Sequence, residues 1–586
     1  MRILLVSLNS KYVHTNLAIR YLRGCISSEF PQVELREFTI NEPIDRIAAE
    51  IYEAKADVIG FSCYIWNLSE TIAVIRRLRP VCPGTRILVG GPEVSYDAGN
   101  FLNQYQELDA LVYGEGELTL PELLRAWRAG AELETVKGLA WRDQNGVVRV
   151  NPPQPQIDLA AVPSPYSQTE NFTGRLVYVE STRGCPFNCQ YCLSSTFLGV
   201  RYLPPERFRE ILRQLLRYGA RTIKFVDRTF NVNKKHSFAI LDIVREEAAL
   251  YPPDAGIRAH CEIAGELLDE DWLEYLREYP EDLVQFEIGV QSTNSETLAI
   301  ISRPQHFQRW AGFVREIQSW RKAHLHLDLI AGLPEEDWTS FRNSFNEVYQ
   351  VQPDMLQLGF LKVLKGSGLR EKSRQYGLVY APDPPYLILQ TRVLSHDELL
   401  KLHRLEELLD RYYNSGRFST ILPVAVKLFP TPFDFYHAFA EYWHEQGWFR
   451  LSWSGKALFE KIWEFLASVT AKEDGSANRV GLGAENTLGC LRELLRFDYY
   501  RWERPNLVPD YLVLPEQSLP RDYTDRKLRY QQDAGWVKQI PEFGQMDRRQ
   551  WSRATAVEYF MYPEPQWVLF FYAQGRTYIH PISEKS

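Results

Sequence analysis

The chain has 586 residues, 45% of them hydrophobic and 24% charged, with a formal net charge of −8. That length exceeds what one core supports, so two to four domains are expected. The acidic balance excludes a surface that grips nucleic acid over a broad area. No run reaches the roughly 20 apolar residues of a membrane span, and the N-terminus has no signal-peptide pattern, so the expected compartment is the cytoplasm.

The first 120 residues alternate apolar strands with amphipathic helices. Strands are predicted at RILLVSL, VELREFTI, DVIGFSCYI, RILVGG and ALVYGEG, and helices at NLAIRYLRGCISS, IDRIAAEIYEA, SETIAVIRRLRP and LTLPELLRAW. Near-continuous apolar strands between helices mean a parallel sheet covered on both faces. The layout is Rossmann-like and doubly wound, with ligands expected at the carboxyl ends of the strands. The Pro-rich stretch NPPQPQIDLAAVPSPY then reads as a linker.

After it come six strand–helix units, with strands LVYVEST, TIKFVD, GIRAHCEI, LVQFEIGVQ, HLHLDLIAGLP and MLQLGFLKVL. Helices are expected at 206–218, 234–250, 266–278, 294–320 (broken near Pro304) and 337–350. Six such units predict a partial (β/α)6 barrel with its working residues at the strands' C-terminal ends. Beyond about residue 366 the pattern turns mostly helical and closes with a hairpin, AVEYFMY then WVLFFYA. The expected domains are therefore 1–140, a linker 141–172, a barrel 173–365 and a C-terminal domain 366–586.

Eight cysteines are too few for a disulfide scaffold, yet Cys185, Cys189 and Cys192 fall within eight positions in ESTRGCPFNCQYCLSS. Thiolates at C-x3-C-x2-C spacing, directly after the first barrel strand, suit an iron–sulfur cluster. Only three are local, so a four-iron cluster would keep one iron open to a ligand. Zinc is the main alternative, but its structural sites pair two knuckles, and no fourth ligand lies close by in the chain.

This motif in this architecture resembles the radical S-adenosylmethionine superfamily. The resemblance implies a [4Fe–4S] cluster whose open iron chelates S-adenosylmethionine and, on one-electron reduction, splits it to methionine and a 5′-deoxyadenosyl radical. It further implies S-adenosylmethionine contacts from Asp227, Glu262, Gln291 and Arg303, with Gly332 and Pro334 near the adenine. Each has a plainer reading, since acids at strand ends often cap the following helix and helix arginines are usually solvated.

The first domain lacks G-x-G-x-x-G, so a dinucleotide reading is poor. Its loops SLNSKYVH, SCYIWN, GGPEVS and YGEGE all follow strands of one sheet. Set before the cysteine motif, they resemble the cobalamin-binding subfamily of radical S-adenosylmethionine enzymes. That likeness covers roughly 1–365 and implies cobalamin contacts from Ser10, His14, Ser62, Trp66, Asn67, Gly91, Pro92, Glu93, Gly114, Glu115, Gly116 and Glu117. The D-x-H-x-x-G motif that supplies a lower cobalt ligand in many cobalamin domains is absent, and His14 is the nearest substitute. His236 and His326 form no metal-ligand spacing and receive no role.

The activity this implies is methylation of an unactivated carbon in a small molecule, with flavodoxin or ferredoxin as electron donor. Rearrangement or cyclisation without net methylation is an alternative. A methylthiotransferase acting on RNA or protein, with a second cluster on Cys25, Cys63 and Cys82, is another, although Cys63 lies inside an apolar strand and Cys25 late in a helix. A non-catalytic corrinoid or iron–sulfur carrier is the reading from outside enzymology.

Overall fold

The computed structural model describes residues 1–586 apart from 167–169, 197–198, 472–483, 505–506, 515–518, 533–553, 562–564, 574–575 and 583–586. The chain forms two compact units, 1–353 with 358–399, and 354–357 with 400–586.

The first unit opens with strands β1 (Ile3–Asn9), β2 (Val33–Thr39), β3 (Val58–Ser62), β4 (Arg86–Gly90) and β5 (Ala110–Val112). Between them run helices α1 (Leu17–Ile26), α2 (Ile44–Glu53), α3 (Leu68–Leu78), α4 (Pro92–Ser95) and α5 (Ala98–Gln104), and α6 (Gly116–Ala129) follows β5. The sheet order is β2-β1-β3-β4-β5, extended by β6 (Leu139–Arg142) and β7 (Val148–Val150). Strands β1 to β5 pair in parallel, and β6 and β7 are antiparallel. Every residue of β1 and β3 is buried, because both faces carry a core. One core joins Leu4, Val6 and Leu8 to α2, α3 and α5; the other joins Ile3 and Leu5 to α1 and α6.

The sheet runs ten residues past the boundary expected at 140. The cause is a hairpin that the segment D-Q-N-G-V signals in the usual way. Asp143 accepts hydrogen bonds from the Asn145 and Val147 amides, and Gly146 turns with a positive φ of 78°. The linker therefore begins after Val150.

The second sheet holds six strands in the order β15-β14-β13-β12-β11-β8: β8 (Leu176–Val179), β11 (Thr222–Phe225), β12 (Arg258–Ile263), β13 (Val284–Gln291), β14 (Ala323–Ala331) and β15 (Met355–Phe360). The pairs β8–β11, β11–β12, β12–β13 and β13–β14 are parallel. Helices α7 (Pro205–Arg217), α8 (Lys234–Ala248), α9 (Glu270–Arg277), α10 (Ser295–Ile300), α11 (Phe307–Ser319) and α12 (Trp338–Tyr349) intervene. The helix expected over 294–320 is two, α10 and α11, parted around Pro304. The helix expected from 266 starts only at Glu270, because Asp269 accepts from the Trp272 amide and caps it there. Burial along β12 and β13 alternates strictly, so one side of these strands packs on helices and the other lines the barrel lumen.

A short antiparallel ribbon, β9 (Thr182–Gly184) with β10 (Val200–Tyr202), flanks the cysteine loop. The unit continues through α13 (Gly368–Glu371), β16 (Val379–Tyr380) and β17 (Ile388–Gln390) into α14 (His396–Leu408), within which the boundary between the units falls.

The second unit contains α15 (Leu422–Ala425), α16 (Pro432–Glu445), α17 (Gly455–Thr470), α18 (Ala484–Trp502) and α19 (Tyr523–Gln532). The C-terminal hairpin has a third strand, giving an antiparallel sheet of β18 (Thr555–Phe560), β19 (Gln566–Ala573) and β20 (Arg576–Ile582). Its helices enclose an aromatic core around Tyr412, Phe439, Trp443 and Phe465, the usual outcome of aromatic stripes at helical spacing. Glu558 of β18 is fully enclosed and held by Arg496, Tyr500, Tyr523 and Lys527.

Candidate active site

The three clustered cysteines sit in a loop fastened from several sides. Asp227, at the carboxyl end of β11, is completely buried and accepts from the Ser181 amide at 2.7 Å, the Ser181 hydroxyl at 2.6 Å and the Thr182 hydroxyl at 2.8 Å. Burial pushes its pKa up to about 7, against the pull of those donors. Its carboxylate is thus engaged in fixing the segment that leads to Cys185. Gly184 turns with φ of 104°, and an added Cβ there would overlap the Gly199 carbonyl, so only glycine fits. Farther along, the Gln190 amide donates to Ile301, and Gln190 accepts from the Leu369 amide.

All three thiols are free of disulfides. Cys185 Sγ lies 3.5 Å from the Thr229 hydroxyl, and Cys192 Sγ accepts from the Ser194 amide at 3.4 Å. Cys189 is buried, and Arg303 Nη1 approaches its sulfur to 3.6 Å. Burial pushes the Cys189 thiol up while Arg303 opposes it; Cys192 and Cys185 are close enough that charge on either adds to the upward push. A set of three converging thiols with one guanidinium beside them fits a cluster carrying net negative charge and one iron without a protein ligand.

Arg303 also donates to the Gly289 carbonyl at 2.6 Å, and lies 3.4 Å from the Tyr191 hydroxyl. Gln291 closes β13 with φ of 67°, and its Oε1 is buried without a hydrogen-bond partner. Glu262, at the end of β12, is pushed by burial to about 7, with Arg228 opposing and Glu287 adding to the rise. Glu262 and Gln291 thus lie at the ends of β12 and β13, and Arg303 in the loop after α10. Thr229, Tyr191 and Ser181 were missed, since isolated hydroxyls carry no sequence signal.

The loops of the first sheet sort into two groups. Trp66 is 45% exposed and stacks on Tyr64, with ring centres 4.3 Å apart and planes within 9°. Gly91 has φ of 117°, and a Cβ there would overlap the Cys63 carbonyl. Ser10 follows β1, Pro92 starts α4, and the Gly114 amide donates to Ser95 Oγ at 3.3 Å, whereas Ser62, the last residue of β3, is buried and its hydroxyl accepts from Asn16 at 3.2 Å. An exposed aromatic face among bare backbone is the surface a large flat ligand requires.

The second group is spoken for by protein partners. Asn67 is fully buried; it donates to the Leu8 and Ser62 carbonyls and accepts from the Tyr64 amide. Glu93 is buried against the Tyr386 hydroxyl and Lys365, which is 3.1 Å away. Glu117 pairs with Arg183 at 2.7 Å, Glu115 pairs with Arg201, and Arg183 also holds Glu180 at 2.7 Å. Gly116 begins α6 against Leu22. The glutamates of YGEGE thus grip the ribbon beside the cysteine loop. Their neighbours are two arginines more than 60 positions away in sequence, so only the fold reveals the pairing.

His14 reaches the first barrel strand. Its Nδ1 is 2.8 Å from the Tyr178 hydroxyl, and its backbone bridges Leu176. Burial, aided by Lys11, holds its pKa below the ordinary value.

Three family models match the chain: a B12 binding domain over residues 3–124, the Radical SAM superfamily over 179–348, and a protein family of unknown function, DUF4080, over 374–570. The chain thus carries the two domains that define the cobalamin-binding radical S-adenosylmethionine family, in that order. The cofactors of that family are cobalamin, a [4Fe–4S] cluster and S-adenosylmethionine. An uncharacterized methyltransferase of Pyrococcus horikoshii is 30% identical over 39% of this chain and 52% of its own length. The cobalamin-dependent radical SAM methyltransferase TokK of Streptomyces tokunonensis is 26% identical over 59% of this chain and 52% of its own. The chain thus spans about half the length of these curated relatives. The cobalamin-dependent S-adenosylmethionine radical enzyme OxsB shares the fold, with a TM-score of 0.55 and 15% identity over 85% of this chain and 79% of its own. No described helix is long and apolar enough to cross a membrane.

Proposed function

We propose that this chain is a cobalamin-dependent radical enzyme that methylates an unactivated carbon of a small molecule. The observation that carries the reading is the set of three thiols gathered beside Arg303 at the barrel's strand ends. When bound, the cofactors supply a carbon-centred radical from S-adenosylmethionine and a methyl group from the corrin.

The residues divide the remaining work. Cys185, Cys189 and Cys192 would hold the cluster, and the Arg303 guanidinium would offset charge at Cys189. Glu262 suits the ribose hydroxyls, and Gln291 offers its unpaired buried Oε1. Asp227 acts as a positioning residue for the cysteine segment. Trp66, Ser10, Gly91, Pro92 and Gly114 form the corrin surface, while Ser62, Asn67, Glu93, Glu115, Gly116 and Glu117 shape it from behind. Electrons come from a flavodoxin or ferredoxin, in the cytoplasm.

A methylthiotransferase would need Cys25, Cys63 and Cys82 to converge. Cys63 and Cys82 pack into the core on one face of the first sheet and Cys25 into the other. Burial also pushes the Cys25 thiol up to about 12, which opposes thiolate formation.

The test is anaerobic reconstitution with iron, sulfide and hydroxocobalamin, followed by reduction with S-adenosylmethionine present. About four irons, one corrin per chain and release of 5′-deoxyadenosine are expected. About eight irons without corrin would transfer the first domain to a second cluster, and intact S-adenosylmethionine would leave only a carrier.

A further inference from the structure

Deeper in the barrel, beneath the residues assigned above, the lumen holds a second group of donors. His260 of β12, Glu287 of β13 and His326 of β14 each offer one ligand atom, and these atoms lie within 4.8 Å of one another. They share the lumen face: Glu287 is directly opposite His326 in the β13–β14 register, and His260 is two residues before Glu262 on the adjacent strand.

His326 is only 5% exposed, and both of its ring nitrogens are buried with no hydrogen-bond partner. Its Nε2 lies 3.0 Å from Asp328 Oδ1. That contact has ion-pair distance without hydrogen-bond geometry, so the imidazole keeps its nitrogens free for a metal, with Asp328 at hand as the outer support such ligands use. On the opposite side, His260 Nε2 lies 2.9 Å from Glu287 Oε2. Leaving a buried imidazole nitrogen unsatisfied is costly, which argues for an occupant.

We propose that His260, Glu287 and His326 bind a divalent transition-metal ion of the zinc class, separate from the iron–sulfur cluster. Two imidazoles and one carboxylate are a borderline donor set that suits zinc or iron(II) and disfavours calcium or magnesium, which need oxygen ligands. Three protein ligands leave a coordination position open to solvent or to an oxygen or nitrogen of a substrate.

Lys224 sharpens the test. Its ammonium sits 3.0 Å from the same Glu287 oxygen and is 23% exposed, so it now balances the carboxylate and has room to swing away. It competes with any cation for that place. Removing its charge must therefore strengthen metal binding if the site is a metal site, and must weaken the cluster if the lumen is only an ion-pair network.

The experiment uses the full chain with its iron–sulfur cluster reconstituted, so that the cysteines are occupied. Zn2+ bound at micromolar free ion is measured by elemental analysis, and Co2+ binding is followed by visible absorption. One zinc per chain beyond the cluster iron is expected, with Co2+ d–d bands and no sulfur-to-cobalt charge transfer. His326→Ala and Glu287→Gln should each weaken binding at least about tenfold, the scale of losing even an outer partner. Lys224→Met should tighten it about tenfold, given the Coulomb repulsion at such separations. The proposal is overturned if the wild-type chain takes up no zinc beyond its cluster, or if uptake is unchanged in both ligand variants. Weaker binding in Lys224→Met overturns it as well. The wild-type Co2+ spectrum and the Lys224→Met result do not depend on the ligand variants folding.

Discussion

The two parallel sheets of the first unit solve the same problem in opposite ways. In the first, β1 and β3 are buried on both faces, so the candidate contacts lie at a strand's last residue or in the loop beyond it. In the second, β12 and β13 bury alternate residues and turn the others into a lumen carrying Lys224, His260, Glu262, Glu287 and Asp328. A covered sheet offers backbone and aromatic surface; a curved one offers charged side chains. The difference teaches which variants should abolish binding and which should only retune it.

The largest effect is expected at the cluster. Cys189→Ala should lower reconstituted iron from about four per chain to near zero, with corrin uptake kept, as measured by iron analysis and the corrin absorption band. Loss of both together would mean that the two sheets do not act as separate binding surfaces.

Next is a pH dependence from the barrel. Asp227 titrates at about 7 in the folded chain against an ordinary 3.8, so the folded state holds its proton more tightly than the unfolded state does. Its contribution is therefore unpenalised below about pH 4, and stability falls as pH rises toward 7, by as much as about 4 kcal/mol. Urea midpoints of the cofactor-free chain should fall between pH 5 and pH 8, and Asp227→Asn should flatten that slope. An unchanged slope would show that Asp227 is not the titrating group.

The joint between the sheets comes third. Arg183 is 20% exposed and bridges Glu117 of the first sheet's α6 to Glu180 beside the cysteine ribbon. Arg183→Met strands two buried carboxylates and should cost about 3 kcal/mol, read from denaturant unfolding. The same variant should lower iron occupancy without altering the Trp66 loop.

Smaller changes are expected on the corrin surface. Trp66→Ala should weaken hydroxocobalamin binding about tenfold, the worth of one aromatic contact, and leave iron content unchanged. The smallest effect is expected from His14→Phe. Because the His14 ring stacks on Tyr178 and its backbone bridges Leu176 of β8, its work is to anchor its loop to the barrel strand, and its loss should change corrin affinity by no more than about twofold. The cob(II)alamin electron paramagnetic resonance signal should also show no loss of nitrogen coupling.

Much of this was legible before any tertiary contact was known. Strand and helix order, the six barrel units and the cysteine motif all follow from local patterns: apolar runs, helical periodicity and ligand spacing act over fewer than about twenty residues. The boundary at 140 was misplaced because β6 and β7 are short and β7 is largely exposed, leaving only the Asn145–Gly146 turn as a signal.

The site was legible in kind more than in role. Asp227, Glu93, Glu115 and Glu117 stand where the motifs put them, yet each spends its carboxylate on a protein partner far along the chain, such as Ser181, Tyr386, Arg201 or Arg183. His326 shows the reverse: its spacing to other histidines suggested nothing, and pairing of β12, β13 and β14 brings it beside His260 and Glu287. The amino-acid sequence by itself determined the elements, the cofactor class and the three cysteines, because these depend on local propensity and on ligands close together in the chain. Which carboxylates bind and which merely brace, and where histidines from separate strands meet, only the tertiary structure decided, because strand register sets those distances and no local pattern encodes it.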